Sequence, residues 1–286
     1  MSLRAELELL TGSPTEVVDG VAVTRAGREP DTAPALLLVH GVGAARLVWA
    51  PVLAPLAARY QVVVVDLPGH GASAPLGHGA DAGCPALAAT LAQVLARLGV
   101  ERPHVVGNSL GGWVALELAA DGTAASVTAL APAGLRLQPG EPSRLLRVNR
   151  GMARLTGRLG ETLAANATIR RVTFASGSAR PAHLDPGLAR GVAHALRTST
   201  AYEAMIAATR RITFTRGALV QVPVCVVFGD DDRILPAPDN THGEVAPPGA
   251  RWVVLPRCGH APMWDAPERT VELVDETVRA ATSAAA

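Results

Sequence analysis

The fold of this chain is decided by one short stretch, His104-Val105-Val106-Gly107-Asn108-Ser109-Leu110-Gly111-Gly112. Its first three residues predict a strand, and the Ala- and Leu-containing run Trp113–Ala120 predicts a helix soon after it. Between them, Ser109 has Gly107 and Gly111 two residues away on either side. Glycine is needed there because a sharp, strained turn brings strand and helix too close for side chains. The pattern therefore predicts a turn that exposes Ser109 as a nucleophile.

Backbone amides near Ser109 are suited to hold a developing negative charge. The turn places Ser109 at the N-terminus of the predicted helix, where the N–H of Leu110 is one predicted donor to an oxyanion. A second glycine-rich turn follows the predicted strand Ala35–Val39 and reads His40-Gly41-Val42-Gly43. We predict the N–H of Val42 as the second donor and interpret the histidine of this turn as structural. Phosphate binding by this turn is the alternative, but the chain has no lysine and lacks the glycine patterns of nucleotide sites here.

A serine nucleophile needs a base, because a neutral hydroxyl is a poor nucleophile until a positioned imidazole takes its proton. Of the eight histidines, His260 is the one in a short turn directly after a predicted late strand, Trp252–Leu255. Its ring also needs a carboxylate on the other nitrogen, which fixes the tautomer and stabilises the imidazolium. The predicted strand Val222–Phe228 is followed by the run Asp230–Asp232, which we expect to supply that carboxylate. A cation site formed by this acidic run stays open as the alternative.

Strand-like and helix-like segments alternate along most of the chain. Apolar runs of strand length, rich in β-branched residues and without polar alternation, predict strands that are buried on both faces. They are Ala35–Val39, Val62–Val65, Val105–Val106, Val127–Leu130, Val222–Phe228 and Trp252–Leu255. Helical spacing is found in Pro51–Arg59, Pro85–Leu98, Gly112–Ala120 and Pro267–Thr282. The alternation predicts an α/β protein with a mostly parallel, doubly wound sheet, and Val17–Thr24 predicts an antiparallel edge hairpin.

The alternation stops after Ala131. Prolines and glycines then punctuate the chain at Pro132, Gly134, Pro139, Gly140 and Pro142. No further strand is predicted before Val222, so we predict a core of residues 1–131 and 221–286 with a helical cap inserted at 132–220. The cap holds 14 arginines against four acidic residues, although the whole chain carries a formal charge of only +1. Two interpretations stay open: an Arg-covered solvent face, or a surface that attracts an anionic substrate or carrier.

The composition of the chain argues against several classes of protein. Hydrophobic residues make up 49% of the chain and charged residues 18%, which is a globular balance. Three cysteines without paired spacing predict neither a disulfide framework nor a zinc site, and we expect no cofactor or metal. No apolar run approaches the ~18 residues of a membrane span, and Glu6 and Glu8 interrupt the stretch where a secretory signal would need an apolar run. We therefore expect a cytoplasmic protein without a nucleic-acid partner.

Five motifs in this order resemble those of the α/β-hydrolase superfamily with a helical cap. They are His40-Gly41-Val42-Gly43, Asp66-Leu67-Pro68-Gly69-His70-Gly71-Ala72-Ser73, the serine turn Gly107–Gly111, Gly229-Asp230-Asp231-Asp232-Arg233-Ile234-Leu235-Pro236, and Gly259-His260-Ala261-Pro262. The resemblance implies the α/β-hydrolase fold over about residues 35–270 and selects Asp232, three residues after the glycine, as the partner of His260. It also implies a structural role for Asp66. A serine at the turn argues against haloalkane dehalogenases and epoxide hydrolases of this fold, which use aspartate there.

We predict that Ser109, His260 and Asp232 form a catalytic triad. The N–H groups of Val42 and Leu110 are the predicted oxyanion hole. The expected substrate is a small-molecule carboxylic ester or thioester, cleaved through an acyl-enzyme intermediate. One alternative is acyl transfer or cyclisation, with a phosphopantetheine carrier protein docked on the Arg-rich cap. Others are carbon–carbon bond hydrolysis, disfavoured because the residue after the histidine is not aromatic, and ligand binding without catalysis.

Overall fold

The computed structural model describes residues 14–29, 32–138, 140, 143–236 and 243–285. The strands in these ranges are β1 (Thr15–Val18), β2 (Val21–Gly27), β3 (Ala35–Val39), β4 (Gln61–Val65), β5 (His104–Asn108), β6 (Ser126–Leu130), β7 (Val224–Gly229) and β8 (Arg251–Leu255). They form one sheet in the order β1-β2-β4-β3-β5-β6-β7-β8. The pairs β1–β2 and β2–β4 are antiparallel, whereas the other neighbouring pairs are parallel. The predicted mostly parallel sheet and its antiparallel edge hairpin are therefore confirmed.

Helices cover both faces of the sheet. They are α1 (Ala50–Ala57), α2 (Cys84–Arg97), α3 (Leu110–Ala120), α4 (Arg144–Leu163), α5 (Ala167–Thr173), α6 (Pro186–Thr198), α7 (Tyr202–Thr209), α8 (Pro262–Asp265) and α9 (Pro267–Ala285). Side chains of a strand alternate between the two faces, so Leu37 of β3 packs among residues of α2 and α3, while Leu36 packs among residues of α1 and α9. This arrangement confirms the doubly wound α/β class. Within the described residues, none of the helices has the length and apolar character that crossing a bilayer requires.

The last strand differs from its prediction in burial. The run Trp252–Leu255 predicts a strand buried on both faces, but β8 lies at the edge of the sheet and Val254 is 56% exposed. Within the described residues, β8 pairs with β7 alone. A short apolar run does not reveal whether a strand has one neighbour or two, so the expected burial is wrong while the strand itself is confirmed.

The chain between β6 and β7 is helical. Its described residues contain α4 to α7, which we call the cap helices, and no strand. Helix α4 is interrupted at Gly157, where φ is 57° and ψ is −141°, so it consists of two helical segments. It packs against α6. The cap boundaries at 132 and 220 stay a prediction, and Pro139 and Pro142, like Glu6 and Glu8, lie outside the described residues.

Candidate active site

Ser109 lies in the turn between β5 and α3. Its backbone adopts φ 57° and ψ −118°, a conformation that is costly for any residue other than glycine. A Cβ atom added to Gly107 would lie 2.1 Å from the carbonyl oxygen of Gly111, and one added to Gly111 would lie 2.2 Å from that of Val39. The two glycines therefore let β5, α3 and β3 come together at the serine, as the sequence pattern predicts.

A hydrogen bond joins the side chains of His260 and Asp232. Nδ1 of His260 lies 2.8 Å from Oδ2 of Asp232, and both residues are buried. The other carboxylate oxygen accepts hydrogen bonds from the backbone N–H groups of Ile234, at 2.9 Å, and Leu235, at 2.8 Å. These bonds orient the carboxylate, and a proton on Nδ1 shared with it leaves Nε2 of the ring as an acceptor. Two of the three predicted triad residues are thus in direct contact.

The three neighbouring aspartates have different surroundings. Asp232 contacts the ring of His260, whereas Oδ1 of Asp230 accepts a hydrogen bond from the backbone N–H of Cys258 at 3.2 Å. Asp231 is at the surface, where it forms an ion pair with Arg233 at 3.1 Å. Among the described residues, no three His, Cys, Asp or Glu side chains are grouped as a metal ion would need. Each aspartate of the run therefore has a different contact: Asp232 with the histidine ring, Asp230 with the backbone of the histidine loop, and Asp231 with a surface arginine.

Two polar side chains that the sequence analysis missed hold the loop of His260. The Nδ2 group of Asn108 donates to the backbone oxygen of His260 at 3.0 Å. The carboxylate of Asp265 accepts from the backbone N–H of Gly259 at 2.8 Å and from the hydroxyl of Ser178 at 2.6 Å. A signal for Asn108 existed, because a polar side chain at the end of a buried strand requires a partner. The sequence offers no comparable signal for Asp265, whose partners come from two separate segments.

The glycine-rich turn after β3 lies against the serine. A Cβ atom added to Gly41 would lie 3.0 Å from Cβ of Ser109. Within the described residues, the backbone N–H groups of Val42 and Leu110 donate to no backbone or side-chain acceptor. Val42 also lines the same cavity as Ser109. Two unpaired amides beside the serine are the arrangement expected of an oxyanion hole, and that role stays a prediction.

Two buried histidines hold the turns around the serine. Nε2 of His70 accepts a hydrogen bond from the backbone N–H of Gly43 at 2.9 Å, and Nε2 of His40 accepts one from the backbone N–H of Leu67 at 3.0 Å. Burial lowers the pKa of His40 to about 4. Burial, and next the nearby His40, lower the pKa of His70 to about 3. Both rings are therefore neutral at pH 7, as acceptors must be. These contacts fit the structural role predicted for His40, whereas nothing in the sequence indicated the contact made by His70.

A buried ion pair supports the same turns. Oδ2 of Asp66 lies 3.0 Å from Nε of Arg46 and accepts the backbone N–H of Ala72 at 2.9 Å. The other oxygen accepts the backbone N–H of Arg46 at 2.7 Å. Both side chains are almost completely buried. The carboxylate is thus used by the protein's own groups, which fits the structural role that the family resemblance implies for Asp66.

A cavity of about 400 Å³ lies beside Ser109 and His260. Much of its wall consists of apolar side chains of the cap helices, such as Met152 of α4 and Val192 of α6. A second cavity of about 280 Å³ also reaches Ser109 and is lined by Leu110. The structure therefore brings the predicted nucleophile and base to one apolar cavity under the cap helices, with the carboxylate of the predicted triad behind the histidine.

The sequence profile of the alpha/beta hydrolase family matches residues 36–273. The chain belongs to the alpha/beta hydrolase family. The resemblance carried by the five sequence motifs is therefore confirmed. Esterases and other hydrolases are among the matching relatives, which supports an enzyme with hydrolase activity.

Three relatives illustrate the range of this similarity. Epoxide hydrolase EphH of Mycobacterium tuberculosis is 32% identical over 190 residues, which cover 63% of this chain and 87% of EphH. The dihydrolipoyllysine-residue acetyltransferase component of the acetoin cleaving system of Cupriavidus necator is 33% identical over 247 residues, or 85% of this chain. The match spans only 63% of that component's own length. The crystal structure of a bacterial membrane phospholipase A has a TM-score of 0.76 at 26% identity, covering 98% of this chain and 91% of that one.

Proposed function

We propose that this alpha/beta hydrolase cleaves a carboxylic ester or thioester through an acyl-enzyme formed on Ser109. The observation that carries the proposal is the 2.8 Å hydrogen bond between Nδ1 of His260 and Oδ2 of Asp232. The same histidine lines one cavity with Ser109. An imidazole held in this way presents Nε2 as a base toward the cavity, and a serine hydroxyl is the group that such a base activates.

Each step of the proposed reaction uses a group of this chain. Nε2 of His260 takes the hydroxyl proton of Ser109 while Oγ bonds to the acyl carbon, and Asp232 stabilises the imidazolium. The carbonyl oxygen becomes an oxyanion that the N–H groups of Val42 and Leu110 stabilise. The histidine then protonates the leaving oxygen or sulfur, and the acyl group remains on Oγ. A water molecule deprotonated by the histidine finally releases the carboxylic acid and restores the serine.

The size and lining of the cavity favour a substrate whose acyl group carries a hydrocarbon chain. Its volume of about 400 Å³ is that of a small-molecule site, and cap side chains such as Met152 and Ile169 give it an apolar wall. Similarity to a phospholipase structure also supports ester chemistry. The epoxide hydrolase relative is less informative about the reaction, because the family uses an aspartate nucleophile for epoxides and this chain has Ser109.

Turnover of p-nitrophenyl esters from acetate to laurate tests the proposal. We expect the wild-type enzyme to hydrolyse them, and Ser109→Ala to lower kcat/KM by about 10³-fold or more because no other hydroxyl takes its place. Ser176→Ala is the matched control, since Ser176 lines the same cavity and bonds to Asn149. That variant should hydrolyse the esters at close to the wild-type rate. A Ser109→Ala protein that retains the wild-type rate would refute the assignment.

Acyl transfer is a second candidate function. It is favoured by the 33% identity to an acetyltransferase component and by the excess of arginine in the cap. The acyl group on Ser109 would then pass to an alcohol, amine or thiol instead of water. Product analysis with and without such an acceptor separates the two functions. Hydrolysis that no acceptor diverts would contradict acyl transfer.

A further inference from the structure

The apolar side chains of α4 face solvent. We define the cap stripe as the exposed residues Leu145, Val148, Met152, Leu155, Leu159 and Leu163 of α4 together with Val172 of α5. Leu155 is 81% exposed and Leu159 is 66% exposed. Before the break at Gly157 the stripe residues of α4 recur every three or four positions, so they share one side of the first segment, and Leu159 and Leu163 share one side of the second. A contiguous apolar surface of this kind indicates a binding partner.

The contacts of Arg150 show which side of α4 faces inward. Nε of Arg150 donates to Glu203 at 3.1 Å, and Nη2 donates to the backbone oxygen of Ser199 at 2.6 Å. Its guanidinium lies 4.9 Å from the ring centre of Tyr202. A surface helix normally buries its apolar side, whereas α4 buries Arg150 and leaves Leu155 and Leu159 exposed. The buried guanidinium of Arg150 fixes the orientation of the helix. The cap stripe is therefore exposed because of how the helix packs.

Positive charge accompanies the cap stripe. We call the exposed residues Arg144, Arg147, Arg158 and Arg171 the cap arginines. None of these four pairs with a carboxylate among the described residues. Arg154 differs, because it forms an ion pair with Glu203 at 2.9 Å. The surface around the stripe is therefore both apolar and cationic.

The cap stripe is continuous with the cavity beside Ser109. Val148, Met152, Leu163 and Val172 belong to the stripe and also line that cavity. A hydrocarbon chain that lies along the stripe can therefore reach the serine over apolar surface. The stripe and the cavity together form one path from the outside of the cap to the nucleophile.

We propose that the cap stripe and the cap arginines dock this enzyme on an anionic lipid surface. An amphipathic helix that lies in the plane of a lipid interface buries its apolar side among the acyl chains, while arginines bind phosphate groups. In the first segment of α4, the stripe extends roughly 15 Å from Leu145 to Leu155, at about 1.5 Å per residue. Docking is independent of the chemistry, whereas delivery of an acyl chain from the lipid to Ser109 rests on the proposed function.

Other occupants fit the surface less well. In a symmetric contact with a second copy of this chain, the cap arginines of the two copies would face one another and repel. An acidic carrier protein, which the sequence analysis leaves open, would match the charge. It would not account for a hydrocarbon surface of this length that includes Leu155 and Leu159 beyond the cavity mouth. The carrier is therefore an outcome of the test.

Flotation with vesicles tests the docking. Wild-type enzyme is expected to float with vesicles of phosphatidylglycerol and phosphatidylcholine at low salt. The double variant Leu155→Ser/Leu159→Ser removes two exposed side chains that do not line the cavity, and should bind these vesicles roughly tenfold more weakly. The matched control is Leu219→Ser/Val254→Ser, because both residues are apolar, lie outside the stripe and are 56% exposed. This control should bind like the wild type.

Changing all four cap arginines to glutamine tests the role of charge. That variant should lose the preference for phosphatidylglycerol over pure phosphatidylcholine vesicles, because glutamine carries no charge to bind the headgroup phosphate. Wild-type enzyme that ignores both kinds of vesicle, or binds both equally, would overturn the proposal. Binding of an acidic acyl-carrier protein without any vesicle binding would overturn it in favour of the carrier.

Ser109→Ala protein separates docking from the proposed function. It should float with anionic vesicles like the wild type, because Ser109 is not part of the cap stripe. If it does so while the wild type hydrolyses no ester, the docking stands and the proposed function fails. If the wild type hydrolyses soluble esters but neither protein floats, the proposed function stands and the docking fails.

Discussion

Two helices of this hydrolase lie in opposite surroundings. Every residue from Leu110 to Ala119 of α3 is buried, whereas Arg150 is the one buried residue of α4, which lies wholly in the described range 143–236. The residues of α3 follow Ser109 and are fixed by close contacts with the sheet. In α4 the exposed side chains are apolar in large part, and three of them, Val148, Met152 and Leu163, also line the cavity. The sheet therefore fixes the turn of Ser109 tightly, while the cap leaves apolar side chains at its surface.

The two regions also use buried arginine differently. Arg46 forms an ion pair with Asp66 in which neither side chain is accessible to solvent. Arg150 pairs with Glu203, whose side chain is 52% exposed. Loss of Arg46 leaves the Asp66 carboxylate without water, whereas loss of Arg150 leaves the Glu203 carboxylate hydrated. The turns beside Ser109 therefore depend on one completely buried pair, and the cap does not.

The largest effect is expected at the carboxylate behind the histidine. Asp232→Asn should lower kcat by about 10³- to 10⁴-fold with little change in KM, because an amide neither selects the required tautomer nor stabilises the imidazolium. Steady-state kinetics with a p-nitrophenyl ester measure this. The matched control is Asp231→Asn, since Asp231 pairs with Arg233 at the surface. Equal losses in the two variants would contradict the assignment of Asp232.

The next largest effect is expected on stability, at the two buried arginines. Arg46→Met should lower the free energy of unfolding by about 3 to 5 kcal/mol, because Asp66 would remain charged and buried. Arg150→Met should cost about 1 to 2 kcal/mol, since Glu203 stays hydrated and mainly backbone hydrogen bonds are lost. Urea unfolding of both variants gives these values. A larger loss of unfolding free energy in Arg150→Met than in Arg46→Met would contradict this expectation.

Acid should weaken the turns around the serine through His40 and His70. Their pKa values are lowered from 6.5 to about 4 and about 3, so below pH 6.5 the unfolded chain binds protons that the folded chain does not. Their contribution to stability is complete above pH 6.5. It is lost by up to about 1.4 kcal/mol per pH unit for each ring as the pH falls toward the folded values.

His70→Gln measures one of these contributions. Glutamine keeps an oxygen that can accept the N–H of Gly43 but does not titrate, so the variant should lose less stability than the wild type as the pH falls from 6.5 toward about 3. Urea unfolding across that range is the measurement. His183→Gln is the matched control at an exposed histidine and should keep the wild-type dependence. An unchanged pH dependence in His70→Gln would show that this ring does not carry the effect.

The smallest effect is expected on the outside of the cap. Leu155→Ala should change the free energy of unfolding by less than about 0.5 kcal/mol, because the side chain is already in water. The matched substitution Leu116→Ala in α3 removes a completely buried side chain and should cost about 2 to 5 kcal/mol. Thermal or urea unfolding compares them. A large loss at Leu155 would mean that the cap stripe is packed against other parts of the chain.

The part of the site nearest the serine could be predicted because its constraints are local. Glycines stand at 107 and 111, on either side of Ser109, because a Cβ atom at either position would collide with backbone. The contact of His260 with Asp232 spans 28 residues, and it could be expected because parallel strands place their following loops at one edge of the sheet. These features follow from short motifs and the order of strands.

The remaining features depend on contacts that no local pattern specifies. Asp265 holds the histidine loop by binding groups from two segments, one of them in the cap region, and His70 holds the turn of Gly43 from another loop. The orientation of α4 could not be predicted from the sequence either, because the helical period is the same whichever side of the helix faces inward. Burial of Arg150, rather than of Leu155 and its neighbours, is decided by the acidic and aromatic partners that α7 provides.

The most direct test of this account is covalent labelling of the nucleophile. The enzyme is treated with an alkyl fluorophosphonate, digested, and the modified peptide is located by mass spectrometry. We expect a single stoichiometric adduct on Ser109 that forms much more slowly in Asp232→Asn. A protein that stays unlabelled, or whose adduct lies on another residue, would contradict it.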